Sequence, residues 1–207
     1  MVPVDHLVYA AQDLDRAIDA LEQRLGIRAA AGGRHPGEGT WNAIIGVGPA
    51  RYLEIIAPDP GRPAPPVGRW FGLDDPAPDH VVAWAVKSPD LARQAGAARS
   101  AGLALGDVRS GSRRRADGRL LSWTFTDPRT VLGDGLVPFL IDWGASPHPA
   151  DHAPGGIELL GLRGEHPTPD GIVTMLRRLD IDFPVIHGPV PALIATLATP
   201  RGSVELR

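Results

Sequence analysis

Cysteine is absent from all 207 residues. Disulfides and zinc–thiolate sites are therefore excluded, and the redox compartment leaves no trace in the chain. No apolar run approaches the roughly 18 residues a membrane span needs, and no charged-then-apolar leader opens the sequence. The expectation is a cytoplasmic protein with no membrane partner. Charge of one sign is lacking too: 21 Lys and Arg face 24 Asp and Glu, a formal net charge of -3. No nucleic-acid partner is expected from that balance. The one compact basic run, Arg113-Arg114-Arg115, is flanked by Gly, Ser and Asp and reads as a solvated loop, with a lesser reading as an anion contact at the mouth of a pocket. Aromatics are sparse, at 5%. No phosphate loop, dinucleotide fingerprint or Ser-His-Asp order is present, and Gly46-Val47-Gly48 is a lone tight turn.

What the chain does have is 43% hydrophobic residues, enough for a real core, together with 25 Gly and 22 Pro. That combination points to many short elements joined by tight turns. In 51–60, alternation along a strand puts Tyr52, Glu54 and Ile56 on one face and Leu53 and Ile55 on the other. A carboxylate among such neighbours must be solvated, paired or bound to a cation. A lone Glu on an open edge strand is the plainer reading. A second oddity sharpens it: in 4–9, His6 shares a strand face with Val4 and Val8. Two strands, each with one ligand-type residue on an apolar face, look like half of a metal site.

Taken in order, the pattern predicts a strand at 3–10 and then a helix with Asp13 as N-cap and Leu14, Ile18, Leu21 and Leu25 at helical spacing. Gly26 stops that helix. A strand begins at 27–30, the Gly/His/Pro-rich stretch 32–39 reads as a loop, and strands follow at 40–47 and at Glu54. This is a β-α-β-β-β unit. After a Pro/Gly-rich connection anchored by 70–73, the order repeats. A strand covers 79–86, and a helix starts with Ser88 as cap and Pro89 in its first turn. Strands are then expected at 103–108, 120–126 and 138–143. The pairs Asp5-His6 and Asp79-His80 open matching strands. A third, looser pass runs through 157–162, a helix led by Thr168-Pro169-Asp170, and strands at 183–186, 192–198 and 203–206. The expected segments are 1–60, a connection at 61–78, 79–146, and a third, half-module-like repeat at 147–207 that covers the body or builds a homodimer.

This arrangement resembles the vicinal oxygen chelate superfamily and its glyoxalase-like domain proteins. The resemblance rests on 4–8 followed by Asp13-Leu14, the loop 33–37 with Gly39-Thr40 and Asn42, the strand 52–60, and 138–144. It implies an α+β fold in which two βαβββ modules pair into a cup, a partly open barrel sheet, around a divalent metal. The implied ligands are His6 and Glu54 from the first module, with Asp142 and His80 as the candidates from the second. Aligning the Asp-His pairs selects His80, whereas aligning the helix starts selects Ala83, which binds nothing. The donor set suits Zn, Mn, Ni, Co or Fe without choosing among them. Glu54 is the candidate catalytic group. His35, Thr40, Asn42 and Trp123 are the candidate substrate contacts; an exposed loop His is an equal reading of His35, and core packing is the commoner fate of a Trp. His148 and His152, amid prolines, make an improbable metal pair. In the third repeat only Glu205 stands where it could complete a site with His166 or His187.

Three functions follow from the resemblance. One is a metal-dependent lyase or isomerase acting on a small oxygen-rich or carbonyl substrate. Another is a metal-free binding protein of the drug-sequestering type. The last is an extradiol-type dioxygenase, which requires His80 as a ligand. Fold alone does not choose among them.

Overall fold

The computed structural model describes residues 4–114 and 118–207; Arg115 of the basic run lies outside them. The first βαβββ run is β1 (Val4–Ala10), α1 (Leu14–Leu25), β2 (Ala30–His35), β3 (Thr40–Gly46) and β4 (Tyr52–Pro58). The Asp13 carboxylate accepts the Arg16 backbone N–H at the start of α1, and Gly26 ends it in the left-handed conformation. Leu14, Ala17, Ile18, Leu21 and Leu25 form the buried stripe of that helix, each large side chain contributing about 2 kcal/mol of burial. Across the sheet they meet Leu7, Leu53 and Ile55.

The second run is β5 (His80–Lys87), α2 (Leu91–Ser100), β6 (Val108–Arg114), β7 (Leu120–Thr126) and β8 (Phe139–Asp142). Both runs share one eight-stranded sheet in the order β2-β3-β4-β1-β5-β8-β7-β6. Its two edges turn toward each other, and the Arg113 guanidinium donates to the Gly32 carbonyl from β6 to β2. The result is the α+β, nearly closed barrel expected from the sequence.

A third run, β9 (Glu158–His166), α3 (Pro169–Arg177), β10 (Val185–His187), β11 (Ala192–Thr199) and β12 (Gly202–Leu206), forms a separate four-stranded sheet. It shares the core behind β1 and β5. Trp84 stacks on Phe183 at 4.8 Å, and its indole N–H donates to the Leu136 carbonyl at 3.0 Å. Among the described residues no helix is long and apolar enough to cross a membrane.

Several local expectations change. The glycine-rich stretch is not a loop throughout, because β2 runs through Gly32 and Gly33 to His35. Helix α2 is preceded by Asp90 as N-cap, while the Ser88 hydroxyl is engaged with Gln94. The strand expected at 103–108 is a loop whose Leu103 and Leu105 are buried, and β6 starts at Val108. Most consequential are two bulges where β1 and β5 pair. The register steps from Val4↔Val86 to His6↔Ala85, and from Val8↔Ala83 to Tyr9↔Val81. Asp5 and Val82 are the extra residues. A bulge re-aims the side chains beside it, so Val4 joins the core behind the sheet while His6 faces the cup with Val8.

Candidate functional site

The inner face of the cup encloses a cavity of about 40 Å³. Seven of its lining side chains are aromatic: Tyr52, Trp70, Phe71, Trp123, Phe125, Phe139 and Trp143. In a chain with five Trp, four Phe and two Tyr, most of the aromatic content is committed to this one place. The polar lining consists of His6, His35, Asn42, Glu54 and Arg113.

His6 and Glu54 come together because β1 and β4 are parallel neighbours with Val8 opposite Glu54. The His6 Nε2 lies 3.8 Å from Glu54 Oε2. Behind His6, the bulge residue Asp5 is fully buried, and its Oδ1 meets His6 Nδ1 at 2.7 Å. Asp5 also accepts the Trp143 indole N–H at 3.2 Å and meets His148 Nε2 at 3.0 Å. Burial would raise the Asp5 carboxyl, but the hydrogen bonds from His148 and His6 hold it well below the usual carboxylate range. An ionised carboxylate only accepts. The Nδ1 of His6 therefore donates to Asp5, and its Nε2 faces the cavity. His148 is fixed in the opposite sense: its Nδ1 accepts the Ala150 backbone N–H, so its Nε2 donates to Asp5.

On the other side the Asn42 amide donates to Glu54 Oε1 from β3, leaving Oε2 toward His6. Asn42 Oδ1 and Trp70 Nε1 are buried with no partner among the described residues. Gly32 is required here, because a Cβ at this position would sit 2.2 Å from Asn42 Oδ1. His35, expected in a loop, closes β2 and is buried. Its Nδ1 contacts Thr40 Oγ1 at 3.1 Å, and its ring packs against Trp70 and Trp123. Burial, chiefly, lowers its pKa to about 4, with Glu54 opposing and Arg113 reinforcing the shift. Burial likewise pushes the Tyr52 phenol well above its ordinary value, aided by Asp5 and Glu54.

The remaining candidates separate. Asn42, His35 and Trp123 line the cavity, while Thr40 stands behind His35. Asp142 does not join the site. Phe139 and Ile141 face inward, and alternation turns Asp142 outward, where its Oδ1 accepts the Gly144 N–H at 2.8 Å. His80 does not join either. It pairs with Ala10 at the far end of β5, roughly 13 Å along the strand from the His6 level, and its Nδ1 donates to the Pro78 carbonyl. Glu205 is paired with Arg163. Asp5, Tyr52, Phe139 and His148 are pocket or support residues that sequence reasoning did not assign. The one sequence signal for Asp5 is its adjacency to His6.

The model of the glyoxalase-like domain family matches residues 4–179. The chain belongs to the glyoxalase-like domain family. Among solved structures, a hypothetical protein from Staphylococcus aureus overlaps at a TM-score of 0.67 and 14% identity, over 98% of this chain and 83% of its own. Two methylmalonyl-CoA epimerases also overlap. A Streptomyces coelicolor variant in complex with 2-nitronate-propionyl-CoA gives a TM-score of 0.46 at 21% identity, over 70% of this chain and 97% of its own. The Mycobacterium tuberculosis protein gives 0.45 at 23%, over 72% and 91%. The first of these likenesses speaks to the fold alone. No curated protein matches the sequence.

Within this glyoxalase-like domain the two modules are chemically unequal. Matching α1 to α2 sets Ala83 against His6 and Ala85 against Val8. Since Val8 pairs with Glu54 and Ala85 with Phe139, the counterparts of His6 and Glu54 are Ala83 and Phe139. Among the described residues no group of three His, Asp or Glu converges as a metal centre requires. Two protein donors fall short of the three that catalytic zinc sites use, and the neighbouring Arg113 cation opposes a further cation. The residues present do not fit the four-ligand site that the resemblance implies.

Proposed function

We propose that this cup binds a small carbonyl or carboxylate compound and that Glu54 moves a proton on it, as an isomerase or lyase of the glyoxalase type acting through protein side chains. The observation that carries the reading is the His6–Glu54 pair. The His6 Nε2 and the Glu54 carboxylate face each other at 3.8 Å in a buried, aromatic-walled cavity that Arg113 also lines. Glu54 Oε2 takes the proton α to a carbonyl, while Asn42 holds the other carboxylate oxygen in place. Arg113 offsets negative charge developing on the substrate oxygen. His6 Nε2 accepts from a substrate hydroxyl, Asp5 stabilises the imidazolium formed, and the two protons then return, from His6 to the former carbonyl oxygen and from Glu54 to the neighbouring carbon. The metal-dependent version of this chemistry has only half of its expected donor set, and the dioxygenase version lacks its second imidazole.

A second reading, ligand sequestration without turnover, is favoured by the seven aromatic side chains. The test is proton exchange in deuterated water, followed by NMR, for a panel of α-keto acids and α-hydroxyketones. Enzyme-catalysed exchange α to the carbonyl, abolished by Glu54→Gln with binding kept, supports the acid–base role. Saturable binding with no exchange moves the protein to sequestration. No binding by any member of the panel removes both.

A further inference from the structure

The half-site that lacks ligands opens into a second chamber. Ala83 and Phe139, the counterparts of His6 and Glu54, both border a cavity of about 290 Å³, several times the 40 Å³ of the His6–Glu54 cavity. The two cavities share three walls, Phe71, Pro128 and Phe139. The smaller holds a head group of a few atoms, since a single ordered water needs about 10–15 Å³. The larger is walled by Val82, Leu105, Leu132 and Val137 among others, and none of its described lining residues is Lys, Arg or His. Its ionisable wall residue is Asp134, already engaged by His166 at 2.9 Å. The bulge in β5 leaves Val82 as the extra residue beside Ala83, which re-aims it into this wall.

The partition between the chambers is built at a cost. Phe71 is held at a positive φ of 59°, a conformation a bulky side chain adopts only against strain. That places its ring 6.1 Å from Phe139, so the two rings form the septum. Asp134, on the far wall, is also at positive φ.

We propose that the two cavities form one bipartite site for an amphipathic ligand, with an oxygen-bearing head at His6, Glu54 and Arg113 and an unbranched, uncharged hydrocarbon tail passing the Phe71–Phe139 septum into the chamber beside Ala83. The head assignment rests on the function proposed above; the tail chamber rests on its own walls. A tail carrying phosphates or a terminal carboxylate finds no cation there and meets Asp134.

The test is titration calorimetry of the whole protein with straight-chain α-keto acids from pyruvate to α-ketocaprylate, alongside a matched acid ending in a second carboxylate. Affinity is expected to rise about fourfold per added methylene and then level off when the chamber is full. The dicarboxylic control is expected to gain nothing from its length. Ala83→Leu fills the chamber and flattens the series. Val131→Ser at the rim, where the side chain is 61% exposed and folding is not at stake, reduces the gain for the longest acids alone. Pyruvate binding with no dependence on chain length overturns the tail chamber and leaves the head reading standing. A length dependence untouched by both variants places the tail elsewhere and also overturns it. Failure of every acid to bind overturns the head reading, and the bipartite site with it.

Discussion

Lowering the pH removes stability through one buried imidazole, and the size of that effect follows from where His35 sits. The ring is 5% exposed, packed against Trp70 and Trp123, with Thr40 as its hydroxyl neighbour. Its pKa falls from an ordinary 6.5 to about 4 in the folded protein. Between those values the unfolded chain binds a proton at His35 that the native state refuses, so stability falls as pH drops through 6.5 and the loss stops below about 4. At about 1.4 kcal/mol per pH unit, the loss attributable to His35 between pH 7 and pH 4.5 is about 2 kcal/mol. Urea unfolding of the parent and of His35→Gln at both pH values isolates it, because Gln keeps a polar group near Thr40 and does not titrate. The parent is expected to lose about 2 kcal/mol more than the variant. Equal losses, or a larger loss in the variant, would show that His35 accepts its proton in place, and the argument from burial would be wrong.

Three further outcomes are expected. Asp5→Asn removes the charge that His6, His148 and Trp143 all address and costs about 3 kcal/mol by chemical denaturation; a cost below about 1 kcal/mol would mean those contacts are incidental. Gly32→Ala drives a methyl group into Asn42 and lowers stability by about 1–3 kcal/mol, with loss of ligand affinity through Glu54; an unchanged melting temperature and affinity would refute the close approach. Adding Zn, Mn, Ni or Fe(II) leaves the melting temperature unchanged, whereas a rise that disappears in both His6→Ala and Glu54→Ala would restore the metal-dependent reading.

Periodicity made the backbone plan legible. The stripe of α1, the inward Tyr52 and Glu54, and the three βαβββ passes all follow from spacing that local chemistry dictates. What failed depended on the partner strand. Asp5 could not be read as the support of His6, because only the β1–β5 register reveals a bulge, and a regular strand would have turned Asp5 to the other face. Asp142 was drawn to the site by being the ligand-type residue on its strand, but Ile141 and Phe139 hold the inward positions and parity excludes it. His80 attracted a ligand role through the repeated Asp-His pair, yet β5 is longer ahead of its helix than β1. Matching the helix starts selects Ala83, and the strand pairing agrees. The glycine neighbours of His35 suggest a loop, but in this fold they serve close packing against Asn42 and Arg113.

The inequality of the two modules explains where the polar support has gone. His6 and Glu54 are 3% and 8% exposed, a burial that is costly unless each polar atom is met. Their support arrives from three different places: Asp5 from the bulge in β1, Asn42 from β3, and, holding Asp5 in turn, Trp143 and His148 from the segment after β8. The second module thus contributes no donor from its own half-site but does supply part of the scaffold that orients the first module's pair. Its own half, Ala83 and Phe139, needs no such network, because apolar surface is satisfied by packing alone. Changes on the two sides therefore fail differently. Substitutions around His6 and Glu54 propagate through hydrogen bonds shared by several elements and do not add independently, whereas substitutions around Ala83 act through volume and stay local. A double-mutant cycle between Asp5 and His148 is expected to show strong coupling, and one between Ala83 and Asp5 close to none. Strong coupling in the second cycle would mean that the apolar chamber and the proton-handling pair are a single mechanical unit rather than two halves joined at the septum.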